Sequence, residues 1–286
     1  MAWSHTVLRA GEFKLDAGCM FGLIPRVVWT RWLEPDEHNR MVMQQNCLLL
    51  ESDEGKLVVV EAGIGDKFGQ KERAMYAMED RAIHDALHEI DCDPKDISAV
   101  VLTHLHFDHA GGITRRDPAG GDKEVLTFPN AEIIVQEQEW TDAIANRSTM
   151  SKTYLRNHLN DEVAERLRLV DGEAEVLSGL HVFPTPGHTW GQQCIRAERG
   201  GARSDVVFVS DVMPTRYHAR ATTNLAYDVE PWTSMNSRME LLKDGFKRKW
   251  LLVLDHEAGE PCFVVEANAD KPGEFVLVEA SEEVMA

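Results

Sequence analysis

This 286-residue chain lacks the features that mark disulfide scaffolds, membrane proteins and nucleic-acid binders. Its five cysteines, Cys19, Cys47, Cys92, Cys194 and Cys262, are odd in number, widely scattered and never in a CxxC pair. They read as reduced core thiols rather than as a disulfide framework. Long apolar runs are also missing, and no segment approaches the roughly 20 residues that a membrane span needs. The stretch MAWSHTVLRAGEFKLDAG carries Arg, Glu, Lys and Asp where a secretory signal requires an unbroken apolar region. The expectation is a cytoplasmic protein with no membrane partner. Basic residues are outnumbered, 30 Lys and Arg against 48 Asp and Glu, for a formal charge of −18. Such a field repels phosphate backbones, so no nucleic-acid partner is expected, and small neutral or cationic molecules suit it better.

What is present is an ordinary globular composition, 43% hydrophobic and 27% charged, with no exact internal repeat and no low-complexity linker. A single domain over 1–286 follows. Cys47-Leu-Leu-Leu50 and Lys56-Leu-Val-Val-Val-Glu61, separated by the polar turn Ser52–Gly55, read as a hairpin with a buried strand. Asp80 to Ile90 reads as an amphipathic helix, with Ile83, Leu87 and Ile90 at helical spacing and Asp80 placed to cap it. Ile97 to Thr103 is then a β-branched strand. Further strands are expected at Glu132–Gln136, Val182–Thr185, Val206–Ser210, Trp250–Leu254 and Phe263–Val265. Helix is expected from Glu137 to about Leu169, and from Ser234 to Lys243 with Met235, Met239 and Leu242 on one stripe. Many short strands with interspersed helices point to an α/β (α+β) sandwich of sheets flanked by helices.

Histidine is concentrated in one place. Thr103-His-Leu-His-Phe-Asp-His-Ala-Gly-Gly112 puts His104, His106 and His109 beside Asp108, directly after a strand. Imidazoles and a carboxylate in so short a loop converge on a divalent cation, for which His and Asp are suitable ligands. Three distant segments match it, each following an apolar strand: Thr185-Pro-Gly-His-Thr-Trp-Gly191 with His188, Ser210-Asp211, and Leu254-Asp-His256. Gly111-Gly112 gives the chain room to turn beneath the loop.

In this order the four motifs resemble the metallo-β-lactamase superfamily over roughly residues 45 to 260. The resemblance implies an αββα sandwich of two mixed sheets flanked by helices, with two metal ions at one edge. It implies that His104, His106 and His188 hold the first ion, Asp108, His109 and His256 the second, and that Asp211 bridges them. The implied cofactor is a pair of divalent ions, most readily Zn2+. The implied activity is dinuclear hydrolysis of an ester-like bond through a bridging hydroxide, with Asp108 accepting and passing a proton.

Ala17–Gly22, Glu61–Asp66 and Asp211–Thr215 followed by Ala226-Tyr-Asp228 are similar to the lactonase-like branch, which includes N-acyl homoserine lactonases and methyl parathion hydrolase-like enzymes. The implied partner is a small-molecule lactone or carboxylic ester, and the implied role is quorum quenching. A phosphotriesterase-type hydrolase and a mononuclear iron persulfide dioxygenase, using His104, His188 and Asp211, are the alternatives. Two departures stand out. Glu61 replaces the Asp usual in relatives, and Trp190-Gly-Gln-Gln replaces the Gly-His of glyoxalase II-like members.

Residues 1–44 read as an N-terminal extension whose Met20, Phe21, Trp29 and Trp32 wall the substrate, with core packing or a homodimer interface as equal readings. Tyr227 is a candidate donor to a substrate carbonyl or developing oxyanion. Residues 137–170 read as a helical insertion capping the pocket. His84 and His88 form an ordinary helical face, and His5, His38, His158, His181 and His218 have no ligand partner nearby in sequence.

Overall fold

The computed structural model describes residues 1–120, 123–150 and 152–285. The first half of the chain forms β1 (Trp3–Asp16), β2 (Arg40–Ser52), β3 (Leu57–Val60), β4 (Ile97–Val101), a small hairpin of β5 (Thr114–Arg116) and β6 (Glu124–Leu126), β7 (Glu132–Gln136) and β8 (Leu167–Val170). The second half forms β9 (Ala174–Leu177), β10 (Leu180–Pro184), β11 (Gln193–Ala197), β12 (Val206–Phe208), β13 (Leu251–Val253), β14 (Cys262–Ala267) and β15 (Phe275–Glu279). Two sheets result, ordered β1-β2-β3-β4-β7-β8 and β15-β14-β13-β12-β11-β10-β9. Both are mixed: β3, β4, β7 and β8 run parallel in the first, and β12 pairs parallel with β13 in the second.

Alternation along the strands explains the layering. On β2 and β3, Leu48, Leu50, Val58 and Val60 point inward, where they meet Ile195, Phe208, Leu251 and Val253 of the other sheet. The intervening Leu49 and Val59 point outward and pack with Ile83, Ala86 and Leu87 of the helix Ile83–His88. On the far side, Val207, Leu252 and Phe263 pack with Leu241 and Leu242 of the helix Pro231–Arg248. Helix, sheet, sheet, helix is therefore the order of layers. Each fully buried side chain of this kind contributes roughly 1.5–3 kcal/mol. Among the described residues no helix is long and apolar enough to cross a membrane.

Three local expectations change. The helix expected at 80–90 spans Ile83–His88, and Asp80 does not cap it. Instead the Asp85 carboxylate accepts from the Ala82 backbone N–H at 2.9 Å. The expected stretch of helix over 137–170 contains only Glu137–Ile144 and Asp161–Ala164, and it ends in β8; residue 151 lies outside the described residues. Asn146, in left-handed backbone at φ 50°, turns the chain after the first piece, and the Asn160 side chain caps the second through Val163 N–H. The N-terminal extension, 1–44, for which no strand was expected, begins with the 14-residue strand β1, which pairs with β2 from Trp3 to Asp16 across a register shift between Arg9 and Glu12.

On the helix Pro231–Arg248 the buried stripe is Ser234, Arg238, Leu241, Leu242 and Gly245. Met235 and Met239 are half-buried beside it.

Candidate metal centre

Four strands deliver the motifs to one edge. Leu102–His109 follows β4, His188 follows β10, Asp211 follows β12 and His256 follows β13, each at the C-terminal end of its strand. The loops are held by close backbone approach. Gly63 and Gly65 take left-handed φ of 66° and 75°, and Gly112 N–H donates to Gly63 O at 2.8 Å. A Cβ on Gly111 or Gly112 would collide with the carbonyls of Ile64 or Ala62. The Gly-Gly pair thus serves contact between two loops, since neither residue has positive φ.

All seven residues expected to bind metal are brought together and buried. His104, His106, His188 and Asp211 form one group, and His109, His256, Asp211 and the unexpected Asp255 form another, with ligand atoms within 4.8 Å of one another in each. Asp211 belongs to both. Its Oδ2 lies 3.0 Å from His188 Nε2 and 3.6 Å from His109 Nε2, while Oδ1 lies 3.4 Å from His256 Nε2. Asp108 reaches the second group, 3.7 Å from His256 Nε2 and 3.9 Å from His109 Nε2.

The imidazoles are aimed by their outer nitrogens. Thr103 Oγ1 lies 3.0 Å from His104 Nδ1, Asp228 Oδ1 3.1 Å from His188 Nδ1, and the Gln44 carbonyl 2.9 Å from His256 Nδ1. Glu61 Oε2 is 3.3 Å from His109 Nδ1, while its Oε1 accepts from Thr103 N–H at 2.7 Å. Glu61, in left-handed backbone at φ 66°, thus sets one carboxylate against both the His109 ring and the Thr103 amide. With Nδ1 of His104, His188 and His256 hydrogen-bonded and that of His109 facing the Glu61 carboxylate, Nε2 of these four histidines faces the cluster. His106 presents Nδ1, 3.1 Å from His188 Nε2.

This donor set fits a metal. His104 Nε2, His109 Nε2, His256 Nε2 and Asp211 Oδ1 are buried without a hydrogen-bond partner among the described residues, a condition that costs about 1–3 kcal/mol per group unless something else takes the lone pair. The charges around the ligands act on them in opposite senses. Burial, then the neighbouring imidazoles, push His104 and His106 well below the usual histidine range, which keeps them neutral. Burial opposes ionisation of Asp211, but His188, His256 and His109 outweigh it and hold the carboxyl well below the carboxylate range. Burial likewise opposes charge on His188, yet Asp211 and Asp228 raise it to about 10.

A cavity of about 190 Å³ opens over the cluster, walled by Leu15, Met20, Tyr76, Phe107, Leu225 and Tyr227 around His106, Asp108, His188, Asp211 and His256. Met20 and Tyr227 are thus where the sequence suggested. Phe21 and Trp29 are not: they stack on each other with centroids 5.5 Å apart, buried behind the wall with the half-buried Trp32 and Tyr217 packed against them. Neither lines the cavity; both pack in the adjoining core, which was one of the readings the sequence allowed. His218, which had no partner nearby in sequence, stacks on Phe21 and bonds the Met20 carbonyl at 2.8 Å, fixing that wall.

Asp255, Asp228 and Tyr76 were not singled out from sequence. Asp255 adjoins His256 and Asp228 adjoins Tyr227, so an acidic neighbour was the available signal. Tyr76 offered none.

The chain belongs to the metallo-β-lactamase superfamily, whose family model matches residues 40–256. It is 27% identical over 223 residues to the N-acyl homoserine lactonase AiiA of Bacillus thuringiensis subsp. kurstaki, covering 74% of this chain and 80% of that protein. A probable metal-dependent hydrolase from Staphylococcus aureus superposes with a TM-score of 0.84 at 26% identity, covering 98% of each chain. The dizinc quorum-quenching lactonase AidC, in complex with its product, superposes with a TM-score of 0.76 at 18% identity over 98% of this chain and 95% of that one. The chain's homologues thus include lactonase hydrolases, and it shares their fold.

Proposed function

We propose that this chain is a dinuclear metal-dependent hydrolase that opens a lactone or a small carboxylic ester. The observation that carries the reading is the pair of ligand groups sharing Asp211 on the floor of an apolar cavity. His104, His106 and His188 would hold one ion, Asp108, His109 and His256 the other, and Asp211 both, with Asp255 close behind the second group. Divalent ions held there, read as Zn2+, would lower the pKa of a water toward neutral and would polarise the ester carbonyl.

The chain's own groups do the rest. Asp108, at the cavity floor, takes the proton of the attacking water and returns it to the alkoxide as the acyl C–O bond breaks, giving a hydroxy acid. Tyr227 donates its O–H to the carbonyl oxygen; burial, with Cys19 and Asp16 nearby, raises its pKa far enough that it stays a donor. Leu15, Met20, Phe107 and Leu225 hold the apolar part of the substrate and exclude water. No Lys or Arg is among the residues lining the cavity, which favours an uncharged substrate. N-acyl homoserine lactones, named for the relatives, are the first compounds to test, and quorum quenching is the role that follows. The five free cysteines support a reducing, cytoplasmic setting.

The test is metal quantification on native protein followed by a panel of lactones, aryl esters and phosphotriesters. Two zinc-like ions per chain, with lactone turnover that chelator abolishes and Asp108→Asn removes, is expected. One iron per chain with persulfide oxidation would overturn the reading in favour of a dioxygenase, and exclusive turnover of phosphotriesters would replace its substrate class.

A further inference from the structure

Glu139 lies in the first turn of the helix Glu137–Ile144, immediately beyond β7, and is completely buried. Its carboxylate is the meeting point of three segments. Oε1 accepts from Leu105 N–H at 2.9 Å and from the Tyr154 hydroxyl at 3.0 Å, and Oε2 accepts from the Thr189 hydroxyl at 2.6 Å. Leu105 stands between His104 and His106, and Thr189 follows His188. Tyr154 packs its ring against His106 with centroids 5.1 Å apart, and its neighbour Thr153 accepts from Phe107 N–H at 3.0 Å. The fit is close on the other side too, since a Cβ on Gly191 would collide with the Glu139 backbone.

No Lys or Arg forms an ion pair with Glu139 among the described residues; its three donors are an amide and two hydroxyls. A carboxylate taken wholly out of water with only neutral partners is costly, and ordinary packing gives no reason to keep one. Leucine or methionine would fill the volume, but neither could accept three hydrogen bonds from two ligand loops and a tyrosine.

We infer that Glu139 is a positioning residue for the first metal group: through Leu105, Thr189 and Tyr154 it sets the mutual spacing of His104, His106 and His188. It touches neither the ligand nitrogens nor the cavity, so its action is on metal affinity rather than on the chemistry. The inference rests on the metal-binding reading of the site and not on any substrate, so failure of lactone turnover leaves it standing.

The experiment is metal affinity, by chelator competition and by stoichiometry after dialysis, using Co2+ and Zn2+ on the full chain. Glu139→Gln keeps the size but converts one acceptor into a donor, so the three donors can no longer all be satisfied. Its affinity for one of the two ions should fall about 10–100-fold, the dialysed protein should retain about one ion where wild type retains two, and the Co2+ absorption spectrum should change. Thr189→Val and Tyr154→Phe each remove one arm and should give smaller losses of the same ion. Glu139→Asp, which retains the charge, should recover part of the loss. Wild-type affinity and an unchanged Co2+ spectrum in folded Glu139→Gln, even with a lowered Tm, would overturn the inference and leave Glu139 a structural carboxylate. Should Glu139→Gln not fold, wild-type metal binding in both single-arm variants would overturn it equally.

Discussion

Asp228 offers a graded test of how the histidines are aimed. Its Oδ1 faces His188 Nδ1 at 3.1 Å and its Oδ2 accepts from Leu225 N–H at 3.2 Å, and the residue is buried. Replacing it by Asn preserves volume and one acceptor but removes the charge. A hydrogen bond to a charged group is worth about 1.5–3 kcal/mol and a neutral one about 0.5–1.5 kcal/mol, so the exchange should cost about 1–1.5 kcal/mol, near tenfold in metal affinity. Replacing it by Ala leaves His188 Nδ1 buried without an acceptor and frees the ring to rotate, which should cost about 1–3 kcal/mol, or roughly 10–100-fold. Chelator competition on the purified variants reads both numbers, with far-UV circular dichroism to confirm the fold. The order wild type, Asp228→Asn, Asp228→Ala is the expectation. Equal affinity across the series would refute the claim that an outer carboxylate aims this ligand.

Asp211→Ala removes the residue common to both groups, and dialysed protein should retain less than one ion per chain by elemental analysis. Tyr227→Phe should lower kcat/KM for lactones by 10-fold or more while leaving metal content unchanged, a pairing that separates substrate contact from ligand positioning. Gly112→Ala drives a Cβ into the Ala62 carbonyl, so the variant should lose both Tm and metal; a wild-type Tm would contradict the close approach of the two loops. Metal-free protein should lose stability on acidification. Burial lowers the pKa of His158 to about 3 and of His218 to about 4, so each contributes stability that is fully present above the unfolded value of about 6.5 and is lost as pH falls toward those folded values. The slope is up to about 1.4 kcal/mol per pH unit for each group, and urea midpoints at pH 7, 5.5 and 4.5 should follow it, more shallowly in His218→Gln.

The strands most legible in the sequence were those buried on both faces. Leu48–Leu50, Val58–Val60, Ile97–Val101 and Glu132–Gln136 are apolar runs bounded by turn residues, and all four lie inside the first sheet. β1 was illegible because it is an edge strand with one exposed face, so Arg9, Glu12 and Lys14 interrupt its pattern, and the shift at Ala10-Gly11 breaks its alternation. The 137–170 stretch was misread for the opposite reason: it is rich in helix-forming residues, but Asn146 and Asn160 break it by backbone conformation and side-chain capping. At the site, the candidate ligands were readable because metal binding demands particular side chains at strand ends. Glu139 and Asp228 act through hydrogen bonds to ligand loops about 35–50 positions away, and no local spacing encodes such contacts; Glu61 was legible only through the resemblance. Phe21 and Trp29 show the converse, since aromatic content near Met20 cannot distinguish a wall from the packing behind it.

The division of ligands between the two sheets has a consequence for how the molecule comes apart. His104, His106 and His109 come from one sheet, and His188, Asp211 and His256 from the other. The seam between them is also stitched by Asn46 of β2, whose side-chain amide donates to the carbonyls of Leu254 and Glu257. Ions bound there would act as rivets across that seam and would favour the native state by mass action. Stripping them should accelerate amide exchange first in the loops after β4, β12 and β13, while the centres of β3 and β7 stay protected until the whole molecule opens.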